Sequence, residues 1–182
     1  PDDLPPERRM FFYPGSSIGN FSPREAGAFL KRLAGLMDSS GGLLIGVDLI
    51  KDKALLDAAY DDPLGVTAAF NRNLLRHINA RLDANFSIAD WQHVAFFNEA
   101  EARIEMHLEA RRALDASWPA GTGRAIRRFV AGERVHTENS YKYSPQGFRT
   151  LLAEAGFAEI RMWTDPRGWF GVFFARQGNT RT

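Results

Sequence analysis

RMFFYPGSSIGNFSPREAGAFLKRLAGLMDSSGGLLIGVDL, residues 9–49, decides the fold class. Its opening, RMFFYPG, is a short apolar run stopped by Pro14-Gly15 and reads as a buried strand. Ser22, Pro23 and Glu25 then spell a helix start: an N-cap, a first-turn proline and the carboxylate of a capping box. Ser39-Ser40-Gly41-Gly42 is expected to end that helix, and GLLIGVDL is a second strand with almost no polar interruption. Strand, helix and apolar strand form a parallel βαβ unit, which makes the class α/β. Ligands meet such sheets at the carboxyl ends of the strands. The loop PGSSIGN, with Ser16, Ser17, Gly19 and Asn20, is therefore expected at a crevice, although an ordinary strand-to-helix turn would read the same.

Downstream the pattern changes. A short helix is expected to run to Tyr60, and Pro63 to open another. Val66, Phe70, Leu74, Ile78 and Leu82 recur every four residues, so 64–82 reads as an amphipathic helix. RIEMHLEARR alternates Ile104, Met106, Leu108 and Ala110 against Glu105, His107, Glu109 and Arg111, the pattern of a half-buried antiparallel strand. WPAGTG is a turn, and IRRFVAGERVHTENSYKY holds one or two strands broken at Gly132. Ser144-Pro145 starts a helix that ends at Gly156, and FAEIRMWTD and WFGVFFA close the chain as an antiparallel hairpin around PRG.

Composition excludes several function classes. The 182 residues are 45% hydrophobic and 25% charged, enough for a sizeable core under an ordinary surface. Net charge is +1 and the densest basic run is RAIRR at 124–128, too short to argue for nucleic acid. Without cysteine there are no disulfides, thiolate metal sites or cysteine nucleophile, which fits a cytoplasmic setting. No apolar run approaches the roughly 20 residues that span a membrane. Histidines stand near acidic residues, His107 with Glu105 or Glu109 and His136 with Glu138, but no zinc-ligand spacing occurs and no metal is expected. The chain opens PDDLPPERR from Pro1, with no signal-peptide h-region, and a piece of a longer polypeptide is expected.

VHTENSYKY, 135–143, has no apolar face. As a strand it carries His136, Glu138, Ser140 and Lys142 on one side and Thr137, Asn139, Tyr141 and Tyr143 on the other. Glu138 and Ser140 stand roughly 7 Å apart along it. Neither side is the apolar row that a strand normally turns to a core.

PGSSIGNF, LLIGVDLIKD, AYDDPLGVTAAFNRNLL, RIEMHL, VHTENSYKY and WTDPRGWFGVFFA, read together, resemble the histidine-specific methyltransferase family over roughly residues 8–176. The resemblance implies an S-adenosylmethionine-dependent enzyme that trimethylates the α-amino group of L-histidine in ergothioneine biosynthesis. It also implies the C-terminal half of a Rossmann-like class I sheet with an inserted α+β lobe. Residues 1–60 would be the second half of the core, 61–143 the substrate-binding lobe, and 144–182 the closing helix and hairpin. On the matching positions the resemblance implies that Glu138 and Ser140 hold the imidazole, whose donor and acceptor nitrogens lie on two edges. The carboxylate and hydroxyl would then act as a fork, and the polar row would face a ligand. By the same resemblance Asn20 and Tyr60 grip the carboxylate and position the amine, and Met106 lines the ring pocket. Met106 reads equally well as core packing on an alternating strand.

No catalytic nucleophile or metal is assigned, and the cofactor contacts are expected outside this chain, which alone should be inactive. Its small-molecule partner is L-histidine, with no nucleic acid and no membrane. The apolar first strand is expected to promote self-association. A methyltransferase for another small amine and a non-catalytic amino-acid-binding module remain the alternatives.

Overall fold

The computed structural model describes residues 8–38 and 40–178. The Pro-rich lead and the Pro1 start lie largely outside that range, as does Ser39 of the expected helix stop. By internal contacts the chain divides into two units: Pro1–Lys51, Ala100–Arg103 and Ser140–Thr182 form the first, and Asp52–Glu99 with Ile104–Asn139 the second.

In the first unit, β1 (Met10–Tyr13) and β2 (Gly42–Asp48) pair in parallel across α1 (Pro23–Gly35), the expected βαβ unit. The helix starts as its sequence dictates. Ser22 Oγ accepts from Glu25 N, and Glu25 Oε2 accepts from Ser22 N at 2.9 Å, closing the capping box. It stops earlier than expected, at Gly35. The Asp38 carboxylate then takes hydrogen bonds from the backbone of Ser40 and Gly41, 3.0 Å each, and this local turn returns the chain to β2. After α4 (Pro145–Glu154), capped by Ser144, come β8 (Phe157–Thr164) and β9 (Phe170–Gln177). They form the expected antiparallel hairpin, and β9 inserts beside β2, so the sheet order is β1-β2-β9-β8. The core packs α1 and α4 against the sheet through Leu30, Leu43, Ile45, Phe148 and Phe173, all fully buried.

The second unit carries α2 (Lys53–Tyr60), α3 (Val66–Leu82) and strands β3 (Trp91–Asn98), β4 (Arg103–Ala110), β5 (Leu114–Ala120), β6 (Gly123–Phe129) and β7 (Arg134–Tyr141), the ends of β4 and β7 reaching into the first unit. β3-β4-β7 make one sheet and β5-β6 a separate antiparallel ribbon. WPAGTG is mostly strand; the reversal itself takes place at Gly121 and Thr122. On β4, Ile104, Met106, Leu108 and Ala110 are all buried, as their alternation predicts.

α3 corrects the sequence reading. Pro63 lies in the turn before it, and the helix begins at Val66 on the Asp62 carboxylate, whose two oxygens accept from Val66 N at 2.9 Å and Thr67 N at 2.8 Å. Most of its every-fourth stripe lies off the core: Val66, Phe70, Leu74 and Leu82 are exposed and only Ile78 of that row packs against the core, whereas Asn71 and Leu75 are buried. No described helix is long and apolar enough to cross a membrane.

Candidate active site

β7 bears the polar row. In the second unit, Glu138 is half-buried and lines a cavity of about 200 Å³ with Thr137 and the α3 residues Phe70, Asn71, Leu74 and His77. Thr137 Oγ1 donates to the Met106 carbonyl at 3.0 Å. Met106 itself is buried in a cluster with Leu56, Phe97 and Ile104, against which Tyr60 packs. Two of the expected residues, Tyr60 and Met106, thus share one cluster.

Tyr60 ends α2, where a small polar network holds its backbone. The Asn71 amide spends its two protons on His93 Nδ1 at 2.9 Å and the His107 carbonyl at 3.0 Å. With Nδ1 accepting, neutral His93 carries its proton on Nε2 and donates it to the Tyr60 carbonyl at 2.8 Å.

Two of the histidines stack on each other. Phe96, His107 and His136 stack across β3, β4 and β7, with ring centroids 5.6 Å and 4.8 Å apart. Burial, and then the neighbouring His136, lower the His107 pKa. His136 Nε2 donates to the Glu138 carbonyl at 3.0 Å, and Glu109 pairs with Arg134 Nε at 2.7 Å, a bond that lowers its carboxyl pKa. Among the described residues no group of three or more potential ligands could hold a metal ion.

In the first unit, loop 14–20 leaves β1 and ends in a 3-10 turn, Ser17–Asn20, with Asn20 exposed. Gly19 lies directly against Ser140 and Tyr141. This brings the turn bearing Asn20 next to Ser140, so those two expected residues share a neighbourhood. Ser140 is buried, and its Oγ accepts from Lys142 Nζ at 2.8 Å. Lys142 pairs in turn with Asp48 Oδ2 at 3.0 Å, its side chain wholly out of solvent, and the other Asp48 oxygen meets Lys51. Asp48 ends β2, and its backbone N–H donates to Ser16 Oγ at 2.8 Å. Nearby, burial pushes the Tyr143 phenol up to about 12, and its hydroxyl has no hydrogen-bond partner among the described residues.

Sequence reasoning left Asp48, Lys142, Asn71 and His93 unassigned. Lys142 was visible on the polar row, two residues beyond Ser140. Asn71 carried no such signal, because the every-fourth row put the expected buried side of α3 elsewhere.

The chain matches, over residues 1–177, the family described as "Histidine-specific methyltransferase, SAM-dependent". It is 48% identical to the Histidine N-alpha-methyltransferase of Mycobacterium tuberculosis over 168 residues, 92% of this chain and 52% of that protein. The protein of the same name from Mycolicibacterium smegmatis is 44% identical over the same shares. Ergothioneine biosynthesis protein 1 of Schizosaccharomyces pombe is 29% identical over 84% of this chain and 19% of its own length. The chain spans about half the length of the first two relatives, 52% of each. Among solved structures, an S-adenosylmethionine-dependent methyltransferase from Clostridium acetobutylicum aligns with 97% of this chain and 62% of its own, at TM-score 0.46 and 7% identity.

Proposed function

The chain belongs to the S-adenosylmethionine-dependent, histidine-specific methyltransferase family, and from that premise we propose that it serves an enzyme that methylates the α-amino group of L-histidine. The product is Nα,Nα,Nα-trimethylhistidine, on the route to ergothioneine. In the same reading 61–143 is the substrate-binding lobe, and 1–60 with 144–182 is the closing half of the methyltransferase core. The cytoplasmic setting expected from the sequence is part of this proposal.

S-adenosylmethionine, when bound, supplies a methyl group on a sulfonium, a leaving group that needs no acid from the protein. Gly15 and Ser16 hold loop 14–20 in left-handed backbone, φ 74° and 59°, at the carboxyl end of β1. That fits one wall of a cofactor crevice. The described residues otherwise contribute position, which is what a displacement by a neutral amine chiefly requires. Asn20 and Tyr60 orient the carboxylate and amine, Glu138 accepts from one ring N–H, Ser140 meets the other ring nitrogen, and Met106 lines the ring pocket. We assign no base; the amine proton leaves to water.

The observation that carries the reading is Glu138. The residue lines a cavity with Phe70 and Leu74 and with the polar Asn71, Asn73 and His77. A carboxylate makes a strong bond to an N–H donor, and an imidazole brings one. The test is Glu138→Ala in the complete gene product, comparing L-histidine as substrate with L-phenylalanine as competitor. A hydrogen bond to a charged group contributes roughly 1.5–3 kcal/mol, so kcat/KM for histidine should fall about ten- to a hundredfold. The phenylalanine Ki should hold or improve. An equal loss for both ligands would make Glu138 structural and sink the reading.

A further inference from the structure

His136 reaches along its own strand to the backbone of Glu138. A carbonyl can only accept, so in the 3.0 Å bond between His136 Nε2 and the Glu138 carbonyl the ring nitrogen carries the proton. That bond restrains the peptide that follows Glu138, and the ring that makes it is itself held. Its face lies on His107, with centroids 4.8 Å apart and 24° between the planes. His107 lies in turn on Phe96, at 5.6 Å and 4°. The three rings come from neighbouring strands of one sheet, β7, β4 and β3, and with Glu138 they all belong to the second unit.

The middle ring has the protonation state that a stack of this kind needs. His107 Nδ1 is out of solvent and has no hydrogen-bond partner among the described residues. A proton there would be a buried donor without an acceptor, which is costly. Neutral His107 therefore carries its proton on Nε2, 3.8 Å from Glu105 Oε2. Burial, and then the neighbouring His136, lower its pKa, so the ring beneath His136 is the neutral one. The stack is not what ties β7 to β4. Thr137 Oγ1 donates to the Met106 carbonyl at 3.0 Å and Arg134 Nε to Glu109 Oε2 at 2.7 Å, one bond on either side of residue 136. The rings can be altered while those ties remain.

We propose that the Phe96–His107–His136 stack is a positioning device for Glu138, holding the backbone from which its carboxylate meets the N–H of a ligand ring. This inference rests on the reading that Glu138 holds the imidazole. It deepens that reading: the preference for a nitrogen heterocycle depends on rings that are not among the described residues lining the cavity of Glu138. His107 and His136 act through the carboxylate and do not touch the ligand. A hydrogen bond weakens when its angle is lost as well as when its length grows. A carboxylate on a loosened peptide therefore holds a ring N–H less well. A phenyl ring makes no such bond and is indifferent.

The experiment measures dissociation constants in the complete gene product, for L-histidine by calorimetric titration and for L-phenylalanine by displacement. A dissociation constant does not depend on how much of the sample is folded. His136→Phe keeps a ring on His107 but has no N–H to give. It should weaken histidine roughly two- to tenfold, the scale of one modest hydrogen bond, and leave phenylalanine unchanged. His107→Ala, which takes away the ring beneath His136, should shift the ratio in the same direction, and His107→Phe should restore it. In a double-mutant cycle His136→Phe should cost nothing further once Glu138→Ala is present, because it acts through that carboxylate. Equal losses for both ligands in His136→Phe, or losses that multiply with those of Glu138→Ala, would overturn the proposal. So would a His107→Phe variant no better than His107→Ala. If Glu138→Ala itself fails to separate the two ligands, the reading of Glu138 falls and takes this inference with it. Separation by Glu138→Ala without separation by His136→Phe would overturn this inference alone.

Discussion

A Cβ on Gly19 would stand 2.8 Å from the carbonyl oxygen of Tyr141, closer than side chains approach backbone. Neither partner can swing aside, since one is main chain and the other would be the first atom of a side chain. The 3-10 turn that carries Asn20 can rest on the end of β7 only with glycine at 19.

Gly19→Ala should therefore displace that turn. We expect a loss of about 1–3 kcal/mol, typical of overpacking a tight site, read as a lower denaturation midpoint, and weaker binding of every amino acid tested. Gly35→Ala is the control. Nothing lies within 4 Å of its Cβ position at the end of α1. That variant should be neutral or stabilising by up to about 1 kcal/mol.

Asp62 should make α3 acid-sensitive. The backbone N–H groups of Thr67 and then Val66 lower its pKa to about 2. The unfolded value is about 4, so the folded pKa is the depressed one. Its contribution to stability is present above about pH 4 and is lost as pH falls toward about 2. Urea midpoints between pH 5 and pH 2 should drop less steeply in Asp62→Ala than in the unaltered chain. Identical slopes would mean that the cap contributes nothing to acid stability.

Asn71→Leu removes both donors from a buried site. His93 Nδ1 and the His107 carbonyl would each lose a bond, at a cost on the order of 2 kcal/mol or more. A second readout is spectroscopic. Nitrogen chemical shifts should report His93 protonated on Nε2 in the unaltered chain and a mixture of tautomers in the variant. An unchanged tautomer would mean that Asn71 does not set it.

β1 should drive self-association. It pairs with β2 along one edge, no other described strand pairs with it, and Met10 and Phe12 are 57% and 70% exposed. An uncovered apolar edge strand is a template for another chain. Sedimentation should show association that rises with concentration and weakens in Phe12→Lys. A monomer at high concentration would count against it.

What the sequence disclosed follows from how far its signals reach. The strand period is two, so the alternation of Ile104, Met106, Leu108 and Ala110 keeps one face without drift. A helix advances about 100° per residue, so a row at every fourth position slips by about 40° each step. From Val66 to Leu82 that row winds around α3, and the buried side falls on Asn71 and Leu75 instead. The start of α1 was legible because Ser22, Pro23 and Glu25 act on one another within a single turn. Its end was not, because the Asp38 turn replaces the expected glycine stop. The polar row on β7 was visible as an absence of apolar residues. The partners of that row and of Tyr60, Asp48 for Lys142 and Asn71 for His93, are remote in sequence and leave no local pattern.

The position of β9 constrains synthesis. It is interior to its sheet, between β2 and β8, yet β2 is translated long before it. Until residues 170–177 have left the ribosome, Leu43 and Ile45 have no strand on that side and Phe173 is missing from the core. At synthesis rates of roughly 5–20 residues per second, β2 waits many seconds with an open edge. A premature stop ahead of Phe170 would therefore remove the middle of the first unit, leaving β1 and β2 as an unfinished pair for chaperones or proteases to find.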